Sequence, residues 1–163
     1  MLNLPVELTP FIGRGKELDE LAHLLTDPQC RLITLVGPGG SGKTRLAIEI
    51  ARANATHYSD GVHFVSLQPL NSGDFLVSYL ADSLRYALRG SGEEAQLFDY
   101  LHNKSLLLVL DNFEHLLSAV GLLNDILVRA PVVKLLLTSR EVLNLREEWL
   151  FPLSGMPFPP DEN

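Results

Sequence analysis

Eight consecutive residues, Gly37-Pro38-Gly39-Gly40-Ser41-Gly42-Lys43-Thr44, fit the phosphate-binding pattern G-x-x-x-x-G-K-[ST] at every position. Glycine lets the backbone turn its N–H groups onto an anion with no Cβ in the way. A helix that follows aims its positive end at the same anion. Lys43 supplies a mobile charge for the β- and γ-phosphates, and Thr44 a hydroxyl for Mg²⁺. The plain alternative is a glycine-rich strand–helix turn. In a chain of 163 residues, a chance match is roughly a one per cent event on average composition. The flanks also agree, because the largely apolar, β-branched run Arg31-Leu32-Ile33-Thr34-Leu35-Val36 enters the loop, and Leu46, Ala47, Ile50 and Ala51 leave it at helical spacing. The run reads as a nucleotide site.

Two further runs end in polar residues that such a site needs. Leu106–Leu110 is wholly apolar and is followed by Asp111. At the carboxyl end of a parallel strand, that carboxylate can hold Mg²⁺ beside the phosphates; otherwise it simply ends a strand. Lys134-Leu135-Leu136-Leu137-Thr138-Ser139-Arg140 is a second buried-type run. Arg140 is placed to reach a γ-phosphate and tell triphosphate from diphosphate. The competing reading is a solvated arginine paired with Glu141 or another neighbour.

The elements that must position these residues follow from periodicity. Residues 1–13 read as extended, with Pro5 and Pro10, and a helix is predicted over 14–27, stopped by Asp27-Pro28. Strands are predicted at 31–36, 61–67, 105–111 and 132–138, with a fifth at 149–153. Helices are predicted from the loop to about 56, over 76–88, over 93–102 and over 116–130. This alternation specifies a parallel sheet covered on both faces. The expected fold is an α/β P-loop NTPase three-layer sandwich with a five-stranded, mainly parallel sheet. Residues 1–28 form an N-terminal segment and helix, 29–154 the core, and 155–163 a linker toward a further domain. Trp149 is expected to pack the last strand on the sheet.

Composition narrows the partners. The net charge of −7 argues against direct nucleic-acid binding by this domain, which needs a basic face. The single Cys30 excludes an intramolecular disulfide and reads as a small apolar residue before the first strand. The histidines at 23, 57, 63, 102 and 115 show no metal-ligand spacing, and read as surface or helix-end residues. No apolar run has the length of a membrane span, and no signal-peptide profile opens the chain. A cytoplasmic location is the expectation.

The ordered set of phosphate loop, Leu-Leu-Leu-Val-Leu-Asp ending at Asp111 and Leu-Leu-Leu-Thr-Ser-Arg ending at Arg140 resembles the STAND class of P-loop ATPases, which includes NB-ARC domains. Phe11-Ile12-Gly13-Arg14-Gly15-Lys16-Glu17-Leu18 resembles that class's opening motif Gly-Arg-Glu-x-Glu-Leu, with Gly15 in place of the first Glu. The likeness covers roughly residues 9–153. It implies ATP or ADP with Mg²⁺, and a sensor strand between the strands that carry the phosphate loop and Asp111. It also places Ile12, Gly13 and Arg14 near the adenine and ribose. Arg45, directly after the loop, joins the expected nucleotide-binding set. Many members carry a second acid where this chain has Asn112, and an amide cannot accept a proton from water at neutral pH. Glu114 is then either the substitute base or an acid favoured in the first turn of the next helix.

The resemblance implies a slowly hydrolysing nucleotide switch in a signalling or transcription regulator. Its partners would be helical, winged-helix, repeat or effector domains of the same chain, with self-association on nucleotide. The alternatives are an idle ADP-binding scaffold and an AAA-type ATPase. A GTPase is disfavoured, since Asn103-Lys104-Ser105-Leu106 lacks the guanine-reading Asp. In that class a following helical domain closes over the base. With the tail ending in Pro159-Pro160-Asp161-Glu162-Asn163, a half-exposed base and weak binding are expected of this segment alone.

Overall fold

The apolar runs become the centre of one sheet because both of their faces are covered. The computed structural model describes residues 2–154. The described strands are β1 (Leu2–Asn3), β2 (Leu32–Val36), β3 (Val62–Ser66), β4 (Leu107–Asp111), β5 (Lys134–Ser139) and β6 (Glu148–Pro152). The helices are α1 (Gly15–Thr26), α2 (Lys43–Ala53), α3 (Leu76–Ser83), α4 (Glu93–Leu101) and α5 (Val120–Arg129). The strand order is β1-β3-β4-β5-β2-β6, and every neighbouring pair is parallel. All strands therefore point their carboxyl ends to one edge, where α/β sheets bind ligands. β5 lies between β2, which feeds the phosphate loop, and β4, which ends in Asp111.

Successive strand residues face opposite layers. Ile33, Leu35, Leu107, Val109 and Leu136 pack with Leu21 and Leu25 of α1 and Leu46, Ile50 and Ala51 of α2. Leu32, Leu108, Leu110, Leu135 and Leu137 pack with Leu80 of α3, Leu97 of α4 and Ile126 of α5. This is the expected three-layer sandwich. The sheet has six strands where five were expected, because Leu2–Asn3 adds a short parallel edge on Val62 and His63.

Several boundaries move for local reasons. The helix predicted over 76–88 ends at Ser83, and Arg85 adopts φ 57°, a left-handed conformation that breaks a helix. The helix predicted from 116 is a 3-10 turn over Phe113–Ala119, kinked at Leu116, followed by α5. Trp149 does not anchor β6. It remains 38% exposed, while Phe151, two residues on and on the same face, enters the core. His63 is buried on β3 and is neither a surface nor a helix-end residue. Cys30 is buried two residues before β2, as expected. Among the described residues, no helix is long and apolar enough to cross a membrane. The proposed linker 155–163 lies outside the described residues.

Candidate functional site

The loop between β2 and α2 turns on glycines that no other residue could replace cheaply. Gly40 and Gly42 have φ 78° and 84°, in the left-handed region where a Cβ is strained. At Gly37 the demand is for space, since a Cβ would stand 2.5 Å from the Leu153 carbonyl oxygen. Gly42 caps α2, so the first turn of that helix presents its N–H groups to the loop. Lys43 is buried, and its ammonium donates to the carbonyls of Gly37 (2.8 Å) and Pro38 (2.9 Å). Burial pushes its pKa down, Glu114 and Asp111 oppose that shift, and Arg140 adds to it. Lys43 therefore lies among the very charges that the sequence assigned to phosphate and metal.

Asp111 is the hub of the site. Its Oδ1 accepts hydrogen bonds from Thr44 Oγ1 at 2.7 Å and from Thr138 Oγ1 at 2.6 Å. The Thr138 hydroxyl in turn accepts from the Asn112 backbone N–H at 2.9 Å. α2, β4 and β5 are thus pinned together at their ligand-facing ends through one carboxylate that is 5% exposed. Thr138 is a residue the sequence reading did not single out. It stood in the quoted strand, but nothing local marks its hydroxyl as facing Asp111. Thr44 and Asp111 offer the oxygen donors that Mg²⁺ takes, usually completed by phosphates and water. Among the described residues, no cluster of three or more His, Cys, Asp and Glu could hold a metal by itself.

Arg140 and Glu114 meet across the loop. Arg140 Nε is 3.7 Å from Glu114 Oε1, and Glu114 Oε2 is buried without a hydrogen-bond partner. The Arg140 guanidinium also lies on Gly39, where a Cβ would approach Nη2 to 2.8 Å. Its partner is therefore Glu114, not Glu141. Asn112 takes φ 64° and turns the chain out of β4 into the turn that carries Glu114.

The opening segment closes one side. Gly13 (φ 82°) and Arg14 (φ 59°) bend the chain into α1. Arg14 Nη2 donates to the Ser41 carbonyl at 2.7 Å and to the Ser154 carbonyl at 3.0 Å. It clasps the loop to the chain just past β6. Ile12 is 74% exposed beside it. Arg45 turns toward the same segment, bonding to Thr9 and pairing with Glu7 at 3.5 Å and Glu49 at 3.4 Å. The structure brings together Gly37, Pro38, Gly39, Gly40, Ser41, Gly42, Lys43, Thr44, Asp111, Asn112, Glu114, Arg140 and Arg14. The Arg45 side chain holds the opening segment beside them. His115 bonds to the Leu67 carbonyl at 2.9 Å.

Comparison with known proteins bears on the family and the fold. The AAA ATPase domain family matches residues 10–100. An uncharacterised protein of Mycobacterium tuberculosis is 35% identical over 149 residues, covering 89% of this chain and 37% of its own length. A protein of the same organism named as an HTH-type transcriptional regulator is 38% identical over 128 residues, covering 76% of this chain and 14% of its own. The chain thus spans well under half the length of the curated relatives it matches. The crystal structure of Cdc6p from Pyrobaculum aerophilum is similar in fold, with TM-score 0.61 and 21% identity over 81% of this chain and 40% of that one.

Proposed function

This chain belongs to the AAA ATPase domain family, and we propose that it binds ATP or ADP with Mg²⁺, hydrolyses ATP slowly, and acts as a nucleotide switch within a longer signalling or transcription regulator. The observation that carries the reading is the Asp111 hub, which sets a carboxylate and the Thr44 hydroxyl at the mouth of the phosphate loop. Backbone N–H groups of Gly39–Thr44 would cradle the phosphates. Lys43 would leave the Gly37 and Pro38 carbonyls for phosphate oxygens. Thr44 and Asp111 would hold the metal, which when bound neutralises charge developing between the β- and γ-phosphates. Arg140 would contact the γ-phosphate, and the backbone of Ile12, Gly13 and Arg14 would read the adenine. Arg45 would act by holding that segment in place.

A slow rate follows from Asn112, which can orient water but not deprotonate it. Glu114 is the nearest carboxylate for that task, and it is tied to Arg140. The opening motif, the sensor strand β5 in its central place and the regulator among the relatives support a STAND-class, NB-ARC-like assignment. Other domains of the same protein would then read the nucleotide state, in the cytoplasm, with self-association as one output. The acid charge of −7 speaks against nucleic-acid contact by this domain.

The Glu114–Arg140 pair also favours a second reading, an ADP-holding scaffold that does not turn over. Calorimetry with Mg-ATP, Mg-ADP and Mg-GTP, followed by phosphate release, tests both. Adenine preference with measurable release supports the switch. Binding without release supports the scaffold. No binding of any of the three overturns the nucleotide reading altogether.

A further inference from the structure

Three segments distant in sequence converge on one charge contact at the loop. Glu114 lies in the turn after β4, Arg140 directly follows β5, and Gly39 is inside the phosphate loop. Arg140 reaches back from β5 to rest on Gly39 and to pair with Glu114 at 3.7 Å. Its side chain is 65% exposed, so water already satisfies much of its charge. The glutamate is the more enclosed partner at 22%, with one carboxylate oxygen buried and without a hydrogen bond.

We infer that Glu114 sets the loop's discrimination between triphosphate and diphosphate, by competing with the terminal phosphate for Arg140. The inference rests on the nucleotide reading above. A guanidinium presents five N–H donors in a planar fork that suits phosphate as well as carboxylate. A γ-phosphate seated over Gly39 offers more acceptors and more charge than one carboxylate, so it draws the arginine off Glu114. A diphosphate lacks that group and leaves the pair intact. The gain from contacting the third phosphate is therefore reduced by the cost of parting Arg140 from Glu114. The same exchange frees the Glu114 carboxylate only when a triphosphate is bound. A proton acceptor beside the loop would then be present when there is something to hydrolyse. In this account Glu114 is a positioning residue for Arg140 before it has any part in chemistry.

The test uses this chain with Mg²⁺ and two probes, the non-hydrolysable β,γ-imido analogue of ATP, and ADP. Glu114→Gln removes the competing charge. For a partly exposed ion pair, analogue affinity should rise about two- to fivefold, with ADP affinity unchanged. In an Arg140→Ala background the same substitution should change neither. Glu141→Gln, which neutralises an acid next to Arg140 that does not pair with it, should also change neither. Glu114→Ala serves where the Gln variant melts early, and should move the ratio in the same direction. An unchanged ratio in both Glu114 variants overturns the inference. An equal rise for both ligands also overturns it, because that is general charge removal. A rise that persists without Arg140 does so as well. If the parent chain binds neither probe, the nucleotide reading itself is what fails.

Discussion

Thr138→Val tests whether the Asp111 hub holds the site together. The substitution keeps the shape of a fully buried side chain and deletes only its hydroxyl. That hydroxyl donates to Asp111 Oδ1 at 2.6 Å and accepts from the Asn112 N–H at 2.9 Å. A hydrogen bond to a charged group contributes about 1.5–3 kcal/mol, and the partner left behind adds a further cost. The Asp111 oxygen keeps its bond from Thr44, so the upper end of that sum is not reached. The expected loss is about 2–3 kcal/mol, which in a domain of this size lowers the melting temperature by roughly 4–12 °C. The assay is thermal melting followed by circular dichroism without nucleotide, with Thr138→Ser as the variant that restores the hydroxyl. A valine variant that melts within ~1 °C of the parent, a shift smaller than ~0.5 kcal/mol would give, refutes the reasoning. So does a serine variant that melts no higher than valine.

Lys43→Ala should lose nucleotide-dependent thermal stabilisation, which follows RT ln(1 + [L]/Kd), while the ligand-free fold survives; equal shifts on adding Mg-ATP to parent and variant would remove Lys43 from the site. Gly37→Ala should destabilise by about 1–3 kcal/mol in a denaturant titration, since its methyl would meet the Leu153 carbonyl oxygen 2.5 Å away. Phosphate release by the parent chain should stay below ~1 s⁻¹, the low end of ordinary enzymes, and a faster steady rate would mean that Asn112 is no handicap. Burial pushes the Cys30 thiol up to about 11, from the ordinary 9.0. The folded state therefore holds a proton that the unfolded chain gives up first, so this stabilisation is complete below pH ~9 and is lost as pH rises toward ~11. Cys30→Ala should flatten the alkaline fall in denaturant midpoint across that window, and an unchanged fall would place its cause elsewhere.

Strands were legible where burial on both faces left no polar residue to blur them. Leu106–Leu110 and Leu135–Leu137 could be read without knowing what covers them, because strands at the centre of a parallel sheet take such runs. Helix ends were less legible because they depend on single backbone angles. Leu84, Ala87 and Leu88 continue an apolar spacing, yet Arg85 enters the left-handed region and the helix is over. No composition rule assigns that conformation to an arginine. The edge strand β1 was equally hidden, since two residues carry no periodicity, and only the open edge of β3 gives them a partner. Trp149 failed for a third reason. A large apolar residue on an edge strand is buried only where a helix reaches over it, and reach is a property of the assembled layers.

The site divides along the same line between local and long-range information. Everything that acts through the backbone, from the glycines to the start of α2, could be read from eight adjacent residues, because a phosphate loop is built by consecutive dihedrals. The residues that act through side chains depend on strand order. Thr138 lies 27 positions from Asp111, and it faces the carboxylate because β5 is the neighbour of β4 on one side and of β2 on the other. Had β5 lain on the far side of β4 from β2, the same Leu-Leu-Leu-Thr-Ser-Arg run would have carried both its threonine and its arginine away from the loop. Arg140 and Glu114 could each be suspected of a role from sequence. That they hold one another, and so cannot act independently, follows from the turn after β4 meeting the residue that ends β5's run. The pairing turns two separate candidates into one coupled element. A substitution at either residue must therefore be read as a change at both, and only the double-variant comparison separates what Glu114 does to the ligand directly from what it does through Arg140.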